Sequence, residues 1–356
     1  MTADAAGGVW NYAIELARGL AENGIQTTLA TMGPLPSEAQ RAEAGEVPGL
    51  DLRESNHKLE WMENPWEDID RAGEWLLSIE QQMCPDIVHL NGYVHASLPW
   101  RAPAIVVGHS CVLSWWEAAH GEPAPPEWHE YRVAVAHGLR AANLVAAPSR
   151  AMLDSLRTHY GFISECTVIP NGRDPREFNR GAKEPLVFTA GRFWDRGKNV
   201  EALESVAASM EWPVYAAGQG EAGSHLRSLG VLPQIQLREW LSRASIYALP
   251  ARYEPFGLSI LEAALSGCAL VLGDIPSLRE NWDGAALFCT PGDHAALCER
   301  LQTLIRSEQA RIEFQRAARA RGERFTAERM VASYIERYAA LERLGLPWTQ
   351  EKLRKC

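Results

Sequence analysis

The feature that most restricts the fold of this chain is the regular alternation of short apolar runs with amphipathic stretches. Apolar runs of strand length occur at 26–31, 86–90, 104–108, 143–147, 166–169, 186–190, 213–217, 246–250, 269–272 and 285–288. Helical spacing of apolar residues occurs in 9–22, 71–82, 126–141, 149–159, 198–209, 237–244, 257–266, 293–307, 309–324 and 327–343. Near-continuous apolar strands that alternate with helices are typical of parallel sheets covered on both faces. The sequence therefore predicts an α/β protein with doubly wound sheets.

The alternation is interrupted once, in the polar stretch Asn171–Pro185, which contains several Pro and Gly residues. The length of 356 residues also suits about two domains. We therefore predict a Rossmann-like domain over 1–170, a linker over 171–185, a second Rossmann-like domain over 186–325, and a final helix within 326–356. Ligands of doubly wound sheets bind at the carboxyl ends of the strands. If these edges of the two domains face each other, the site lies in a cleft between them.

Charge, hydropathy and cysteine usage exclude several classes of protein. The chain has 35 Lys and Arg against 45 Asp and Glu, a net charge of −10, so we expect no nucleic-acid partner. No apolar run approaches the ~20 residues of a membrane span, and the first residues do not resemble a secretory signal. The seven cysteines are scattered and never form C-x-x-C, which predicts reduced thiols in the cytoplasm and no cysteine zinc site.

The most informative motif is Glu254-Pro-Phe-Gly-Leu-Ser-Ile-Leu-Glu262, which follows the predicted strand 246–250 and opens a helix. Free N–H groups at a helix N-terminus favour a phosphate, and here they belong to Phe256, Gly257 and Leu258. Glu254 would stand beside that phosphate. Glu262, inside the helix, could bind vicinal hydroxyl groups, although each Glu read alone could equally be an ordinary helix residue.

Two cations follow the predicted strand 186–190. Arg192 and Lys198 can neutralise a diphosphate leaving group next to a helix N-terminus. Alternatively, both are ordinary basic residues on the protein surface. In the first half of the chain, Gly7-Gly8 could admit the same diphosphate or simply form a tight turn. His109, at the end of strand 104–108, could bind a sugar hydroxyl, stabilise developing positive charge through a neighbouring carbonyl, or be structural.

Taken together, these motifs resemble the retaining glycosyltransferases of the GT-B fold known as glycosyl transferases group 1, or glycosyltransferase family 4. The resemblance covers essentially the whole chain. The residues that carry it are Gly7-Gly8-Val9, His109, Pro148-Ser149, Ile169-Pro170-Asn171-Gly172, Gly191-Arg192, Lys198-Asn199, Ala217-Gly218-Gln219-Gly220, and Glu254 with Glu262. The Glu-x7-Glu block together with the Arg/Lys pair is specific to this family, whereas the glycine loops alone also occur in other families.

The resemblance implies sugar transfer from a nucleotide-diphosphate sugar to a hydroxyl acceptor, with retention and without a metal or other cofactor. It implies a hexosyl- or related transferase in glycan, glycolipid or other glycoconjugate synthesis, with at most peripheral contact with the cytoplasmic face of a membrane. Glu254 would bind sugar hydroxyls and Glu262 the ribose. Gly218 and Gly220 would form the nucleotide loop, and the last helix, opened by Thr326, would cross back to the first domain.

One stretch departs from the family pattern. The family often has two glycines and then Glu in the stretch that here runs from Gly273 to Glu280; Glu280 fits, but the glycine pair is missing. Because this loop contacts the donor, the resemblance does not identify the sugar. A non-catalytic nucleotide-sugar-binding protein of the same fold is the alternative.

Two other motifs have competing interpretations. Gly218-x-Gly220-x-x-Gly223 fits a dinucleotide fingerprint, which would indicate an NAD(P)-dependent oxidoreductase, but the strand before it is not the first of its domain. Asp68-Ile69-Asp70 resembles a metal-binding Asp-x-Asp motif, but it suits the first turn of a helix better. The Trp-rich segments 57–66 and 113–129 could form an acceptor groove or pack internally.

The start of the chain carries a further expectation. The first strand of a doubly wound domain lies centrally and directly precedes the glycine loop, yet only residues 1–6 come before Gly7. A strand usually takes ~5–6 residues. We therefore expect Met1–Ala3 to be the stub of a central strand whose neighbours extend past it unpaired, and the natural protein to begin upstream.

Overall fold

The computed structural model describes residues 1–344 except 162 and 164. They form two α/β units. Unit 1 comprises Met1–Ser114, Pro123–Gly172 and the described residues from Ala327 onward, and unit 2 comprises Trp115–Glu122 and Arg173–Thr326. The predicted α/β class is confirmed, because the strand pairs are all parallel and helices separate most consecutive strands.

Unit 1 contains two parallel sheets, β1-β2-β3 and β4-β5-β6-β7. The strands are β1 (Thr2–Asp4), β2 (Thr27–Met32), β3 (Leu50–Glu54), β4 (Val88–Leu90), β5 (Ala104–Val107), β6 (Leu144–Ala147) and β7 (Cys166–Val168). Thr2 pairs with Ala30 of β2, and on its other side Asn91, just after β4, donates its side-chain N–H to the Thr2 carbonyl at 2.7 Å. A side chain therefore links the two sheets where their backbone ladders are not continuous.

The helices that lie wholly in unit 1 pack their apolar faces on these sheets. They are α1 (Gly8–Glu22), α2 (Glu38–Gly45), α3 (Trp66–Met83), α5 (His129–Ala141), α6 (Arg150–Tyr160) and α13 (Ala327–Leu344). Helix α4 (Val112–His120) contributes residues to each unit. Helix α13 packs closely on α1, because a Cβ at Gly19 would lie 2.3 Å from Val331 Cγ2. The final helix therefore shares the core of unit 1.

Unit 2 has one parallel sheet of order β10-β9-β8-β11-β12-β13. Its strands are β8 (Glu184–Ala190), β9 (Val214–Ala217), β10 (Arg227–Ser228), β11 (Ala244–Leu249), β12 (Ala269–Gly273) and β13 (Ala286–Cys289). Its helices are α7 (Val200–Ala207), α8 (Gln234–Arg243), α9 (Leu258–Leu265), α10 (Pro276–Trp282), α11 (His294–Arg306) and α12 (Glu308–Gly322). The central strand β11 is buried along its whole length, as its continuous apolar run predicted.

Sequence periodicity missed β3, β10, α2, α4 and α10. Strand β3 lies at the edge of its sheet and ends in the exposed residues Arg53 and Glu54, so it lacks an apolar run. Helix α10 has seven residues, too few to show helical periodicity. Asp68 and Asp70 lie near the start of α3, as predicted.

The sequence predicted reduced thiols, and Cys166, Cys268, Cys289 and Cys298 are thiols. None of the described helices is both long and apolar enough to cross a membrane.

Candidate active site

The loops after β8 and β11 meet at the carboxyl edge of the sheet in unit 2. The two strands are neighbours in the sheet. From β8 the chain continues to β9 on one side of this pair, and from β11 it continues to β12 on the opposite side. The backbone N–H groups of Arg252 and Tyr253 donate to the Gly197 carbonyl at 2.8 and 3.1 Å, and Asn199 Nδ2 donates to the Pro250 carbonyl at 2.8 Å. Ligands of doubly wound sheets bind at such a switch point.

Lys198 and Glu254 lie across this crevice from each other. Lys198 Nζ is 2.5 Å from Glu254 Oε2, and the two side chains are 19% and 11% exposed. Ser277 Oγ donates to the backbone carbonyl of Glu254 at 2.6 Å and so fixes that loop to the start of α10. The structure therefore brings two of the predicted site residues into direct contact, with part of each still open to solvent.

Arg192 belongs to a second charged cluster in the same loop. Its Nη2 lies 2.9 Å from Asp195 Oδ2, and Asp195 Oδ1 accepts the indole N–H of Trp115 at 2.8 Å and the Gly197 N–H at 2.9 Å. Asp195 is only 5% exposed. Burial alone would raise the pKa of Asp195, but the hydrogen bonds from Trp115 and Arg192 and the charges of Lys198 and Arg192 hold it below its usual value. The buried carboxylate thus organises the loop that carries both cations.

Sequence reasoning missed Asp195, whose only signal was its position between two predicted site residues. It included Trp115 only as part of the Trp-rich segment 113–129 and did not predict its contact with Asp195. Trp115 lies on α4, 80 residues before its partner.

The N-terminus of α9 has the open backbone groups expected of an anion site. Gly257 is its N-cap, has φ 90°, and makes no side-chain capping bond. Leu258 begins the helix, whereas the ring of Phe256 is buried against Phe325, so Phe256 can offer a ligand only its backbone. The first N–H groups of a helix have no partner within it, which leaves them available to a phosphate.

Glu262 is buried and paired with a residue of the linker. Its Oε1 accepts hydrogen bonds from Arg173 Nε at 2.9 Å and Nη2 at 2.7 Å, and the side chains of Glu262 and Arg173 are 6% and 7% exposed. A ribose at this position would therefore meet a carboxylate of which one oxygen is already engaged. The sequence could not show this, because Arg173 lies 89 residues away in the linker.

Gly218 and Gly220 form a loop packed against the Arg192 loop. A Cβ at Gly218 would lie 1.7 Å from the Gly191 carbonyl oxygen, and one at Gly220 would lie 3.4 Å from Phe193 Cβ. The glycines thus permit a close backbone approach. The next helix after Gly223, α8, starts only at Gln234, so this loop lacks the helix N-terminus that the dinucleotide fingerprint requires.

Two of the predicted residues of unit 1, Gly7 and Gly8, begin helix α1, which contacts the third, His109, through Tyr12. Gly7, with φ 119°, is the N-cap of α1 and Gly8 is its first residue. One turn later, the ring of Tyr12 packs edge-on against His109 at 4.5 Å between centroids. His109 Nε2 is 2.8 Å from Asn91 Oδ1, and burial lowers the pKa of His109 to about 3. Convergence of these residues with those of unit 2 stays a prediction.

Two family models match consecutive parts of the chain. The model described as Glycosyltransferase Family 4 matches residues 6–177. The model described as Glycosyl transferases group 1 matches residues 184–307. Together the matches include every predicted site residue, and the gap between them, 178–183, falls within the predicted linker.

Characterised relatives are distant in sequence but similar over most of their length. A glycogen synthase from Mycobacterium tuberculosis is 25% identical over 77% of this chain and 72% of its own. A D-inositol 3-phosphate glycosyltransferase from Xylanimonas cellulosilytica is 22% identical over 94% of this chain and 92% of its own.

Solved structures share the fold. Sucrose-phosphate synthase from Thermosynechococcus elongatus matches with a TM-score of 0.81 and 18% identity, over 96% of this chain and 95% of its own. HepE from Anabaena, solved with UDP and glucose, matches with a TM-score of 0.76 and 17% identity. The match covers 94% of this chain and 96% of HepE. The fold is therefore GT-B, and the chain belongs to the group 1 glycosyltransferases, with the family 4 glycosyltransferase model matching its first half.

Proposed function

We propose that this glycosyltransferase moves a hexosyl or related sugar from a nucleotide-diphosphate donor to a hydroxyl acceptor. The observation that carries the proposal is the meeting of Arg192, Lys198 and Glu254 with the start of α9 at the β8–β11 switch point. Cations and free N–H groups suit a diphosphate, and the negative charge of that group grows as the sugar leaves. HepE, which has the same fold, was solved with UDP-glucose.

Each candidate residue has a proposed role. Arg192, Lys198 and the backbone N–H groups of 256–258 hold the diphosphate, with Lys198 exchanging its contact with Glu254 for one with a phosphate oxygen. Glu254 then faces the sugar hydroxyls. Glu262 meets the ribose through its Oε2 while Arg173 holds Oε1. Gly218 and Gly220 shape the nucleotide loop. In unit 1, Gly7 and Gly8 contact the diphosphate, and His109 the sugar.

The finer points of the proposal are retention of anomeric configuration and independence of metal ions and other cofactors. The positive charge that a metal would supply is provided here by Arg192, Lys198 and the helix N-terminus. The acceptor is a glycan, a lipid-linked sugar or a small alcohol, and we place the reaction in the cytoplasm, at most at the membrane surface. The scattered cysteines support that location.

A thermal-shift screen tests the donor class. UDP, GDP and ADP are each added at saturating concentration, and one of them is expected to stabilise the protein by ~3 kcal/mol, the linkage expected at 100 times Kd. Lys198→Ala should remove most of that shift. Arg252→Ala is the matched control, because Arg252 lies in the Glu254 loop but pairs with Glu201. A shift with NAD alone would refute the proposal.

Product analysis then separates transfer from binding. The best nucleotide is supplied as its glucose conjugate with a panel of alcohol and glycan acceptors, and the anomeric configuration of the product is read by proton NMR. Retention gives the same configuration as the donor. An inverted product would overturn the retaining mechanism, and binding without any transfer or hydrolysis would favour the non-catalytic alternative.

A further inference from the structure

Asn91 lies between two buried or half-buried histidines just after β4. Its Oδ1 is 2.8 Å from His109 Nε2 and 3.3 Å from His89 Nε2. Its Nδ2 is 2.7 Å from the backbone carbonyl oxygen of Thr2, and its own backbone N–H donates to Thr2 Oγ1 at 2.9 Å. The side chain of Asn91 is therefore held from both ends.

The Thr2 carbonyl fixes which way the amide points. A carbonyl oxygen only accepts hydrogen bonds, so the Asn91 atom that faces it must be the NH₂ group. The atom that faces the histidines is then the amide oxygen, which also only accepts. It follows that His109 carries a hydrogen on Nε2. A hydrogen on His89 Nε2 could likewise be donated to Asn91 Oδ1 or to the Tyr12 hydroxyl oxygen, each of which lies at 3.3 Å.

A second contact agrees with this assignment. His89 Nδ1 lies 2.6 Å from the hydroxyl oxygen of Tyr338 on α13. With the hydrogen of His89 on Nε2, Nδ1 is the acceptor, and the Tyr338 hydroxyl donates to it. The hydrogen bonds therefore run in one consistent direction from α13 through β4 to Asn91.

The same surroundings keep both rings neutral. Burial lowers the pKa of His109 to about 3 and that of His89 well below its ordinary value. A neutral imidazole has one donor and one acceptor. For His109 the donor faces Asn91, and within the described residues no hydrogen bond engages Nδ1.

We propose that Asn91 is a positioning residue that locks His109 in the Nε2–H tautomer, so that its Nδ1 accepts a hydrogen bond from the donor sugar. The inference rests on the proposed function of His109 in sugar binding. An acceptor nitrogen selects a hydroxyl group or an amide N–H and rejects phosphate or carboxylate oxygens. His109 thus reads a sugar substituent and takes no part in charge neutralisation.

Nitrogen NMR of the full chain with labelled histidine tests the tautomer directly. The His109 signals are assigned by their loss in His109→Gln. We expect a protonated Nε2 and an unprotonated Nδ1 from pH 8 to 5, and an upfield shift of Nδ1 when UDP-glucose is added but not UDP. A hydrogen on Nδ1, or a cationic ring at pH 6, would overturn the proposal. This measurement needs no variant of Asn91 and no turnover.

Kinetics with altered sugars tests the consequence. With UDP-glucose as donor, Asn91→Ala should lower kcat/KM about tenfold, the effect of one lost polar contact of this kind. Among monodeoxy UDP-glucose analogues, the one that lacks the hydroxyl read by His109 should show no further loss in Asn91→Ala. An equal loss with every analogue would mean a merely structural role.

A control variant tests whether the effect is specific to Asn91, and one outcome distinguishes failure of the proposed donor from failure of the Asn91 proposal. Asn143→Ala is the control, because Asn143 also bonds a backbone group, the Ala104 N–H at 2.8 Å, but at the opposite end of β5. It should leave the analogue pattern unchanged. If UDP-glucose neither binds nor reacts while the NMR shows the expected tautomer, the proposed donor is wrong and the positioning by Asn91 stands.

Discussion

The candidate residues of unit 2 are ionic, whereas those of unit 1 are neutral. In unit 2 each cation already has a carboxylate partner, Lys198 with Glu254 and Arg192 with Asp195. In unit 1, His109 is joined to Asn91, and burial suppresses its protonation. Both sets of residues follow parallel strands, so the fold alone does not explain the contrast.

The difference suits the two ends of a nucleotide-diphosphate sugar. A diphosphate is recognised by charge, and cations that are paired in advance avoid being left buried and uncompensated when no ligand is bound. A sugar is recognised by the direction of its hydroxyl hydrogen bonds, for which a neutral ring of fixed tautomer is better suited than a charged one. The comparison therefore predicts that charge-removing substitutions affect the two units unequally.

The largest effect is expected at the Lys198–Glu254 pair. Glu254→Gln and Lys198→Ala should each lower kcat/KM at least ~100-fold, or about 2.7 kcal/mol of transition-state stabilisation. Because the two side chains are in contact, the double variant should lose less than the product of the single losses. Steady-state kinetics with the donor found by thermal shift checks this, and wild-type-like turnover of both single variants would refute the assignment.

A smaller effect is expected from Asp195→Asn. The amide oxygen can still accept the Trp115 and Gly197 N–H groups, but the ionic contact with Arg192 is lost. A hydrogen bond to a charged group contributes ~1.5 kcal/mol or more, so kcat/KM should fall about tenfold. Asp154→Asn makes the same change in an exposed pair with Arg157 and should have little effect. If both variants changed kcat/KM equally, Asp195 would have no specific role in the active site.

The neutral state of His109 should be detectable in the pH dependence of the free energy of unfolding. A His whose pKa is lowered by folding binds its proton more readily in the unfolded chain, so stability is lost as pH falls below the unfolded value near 6.5. Between pH 6.5 and 5, His109 should account for about 1 kcal/mol of the loss in unfolding free energy, allowing for its partial exposure. Urea unfolding of His109→Gln should show a shallower loss than the wild type, whereas the exposed His294→Gln should not.

The smallest effect, none, is expected on removal of divalent metals. The positive charge at the diphosphate comes from Arg192, Lys198 and the start of α9, and the described residues include no group of three or more His, Cys, Asp or Glu that could hold a metal ion. Activity after EDTA treatment should equal untreated activity. Complete loss restored only by Mn²⁺ would turn attention to Asp68 and Asp70.

The sequence was informative where function depends on position along the chain. Arg192, Lys198 and Glu254 each follow a strand that its apolar run predicted, and the switch-point topology brings these loops together. Gly257 was predicted from its place before a helix. Such features require only the order of elements and the rule that ligands bind at the carboxyl ends of strands.

The contacts between distant residues could not be predicted, even where one of the two residues, such as Glu262 or His109, was itself a predicted site residue. Asp195 depends on Trp115, Glu262 on Arg173, and His109 on Asn91. Each of these contacts joins single polar side chains from different elements, and single polar side chains produce no periodicity. Their geometry is set by packing, which one sequence does not display.

The contact between Gly218 and the Gly191 carbonyl also limits how the specificity of this enzyme can be re-engineered. A side chain at position 218 would collide with the backbone of the neighbouring loop. The conformations of the two loops therefore depend on each other, and neither loop can be exchanged alone. Grafting a single nucleotide loop from another transferase would import a backbone shaped for a different neighbour. Libraries that exchange residues 191–199 and 218–223 together from one parent should therefore yield more folded chimeras than libraries that recombine them independently.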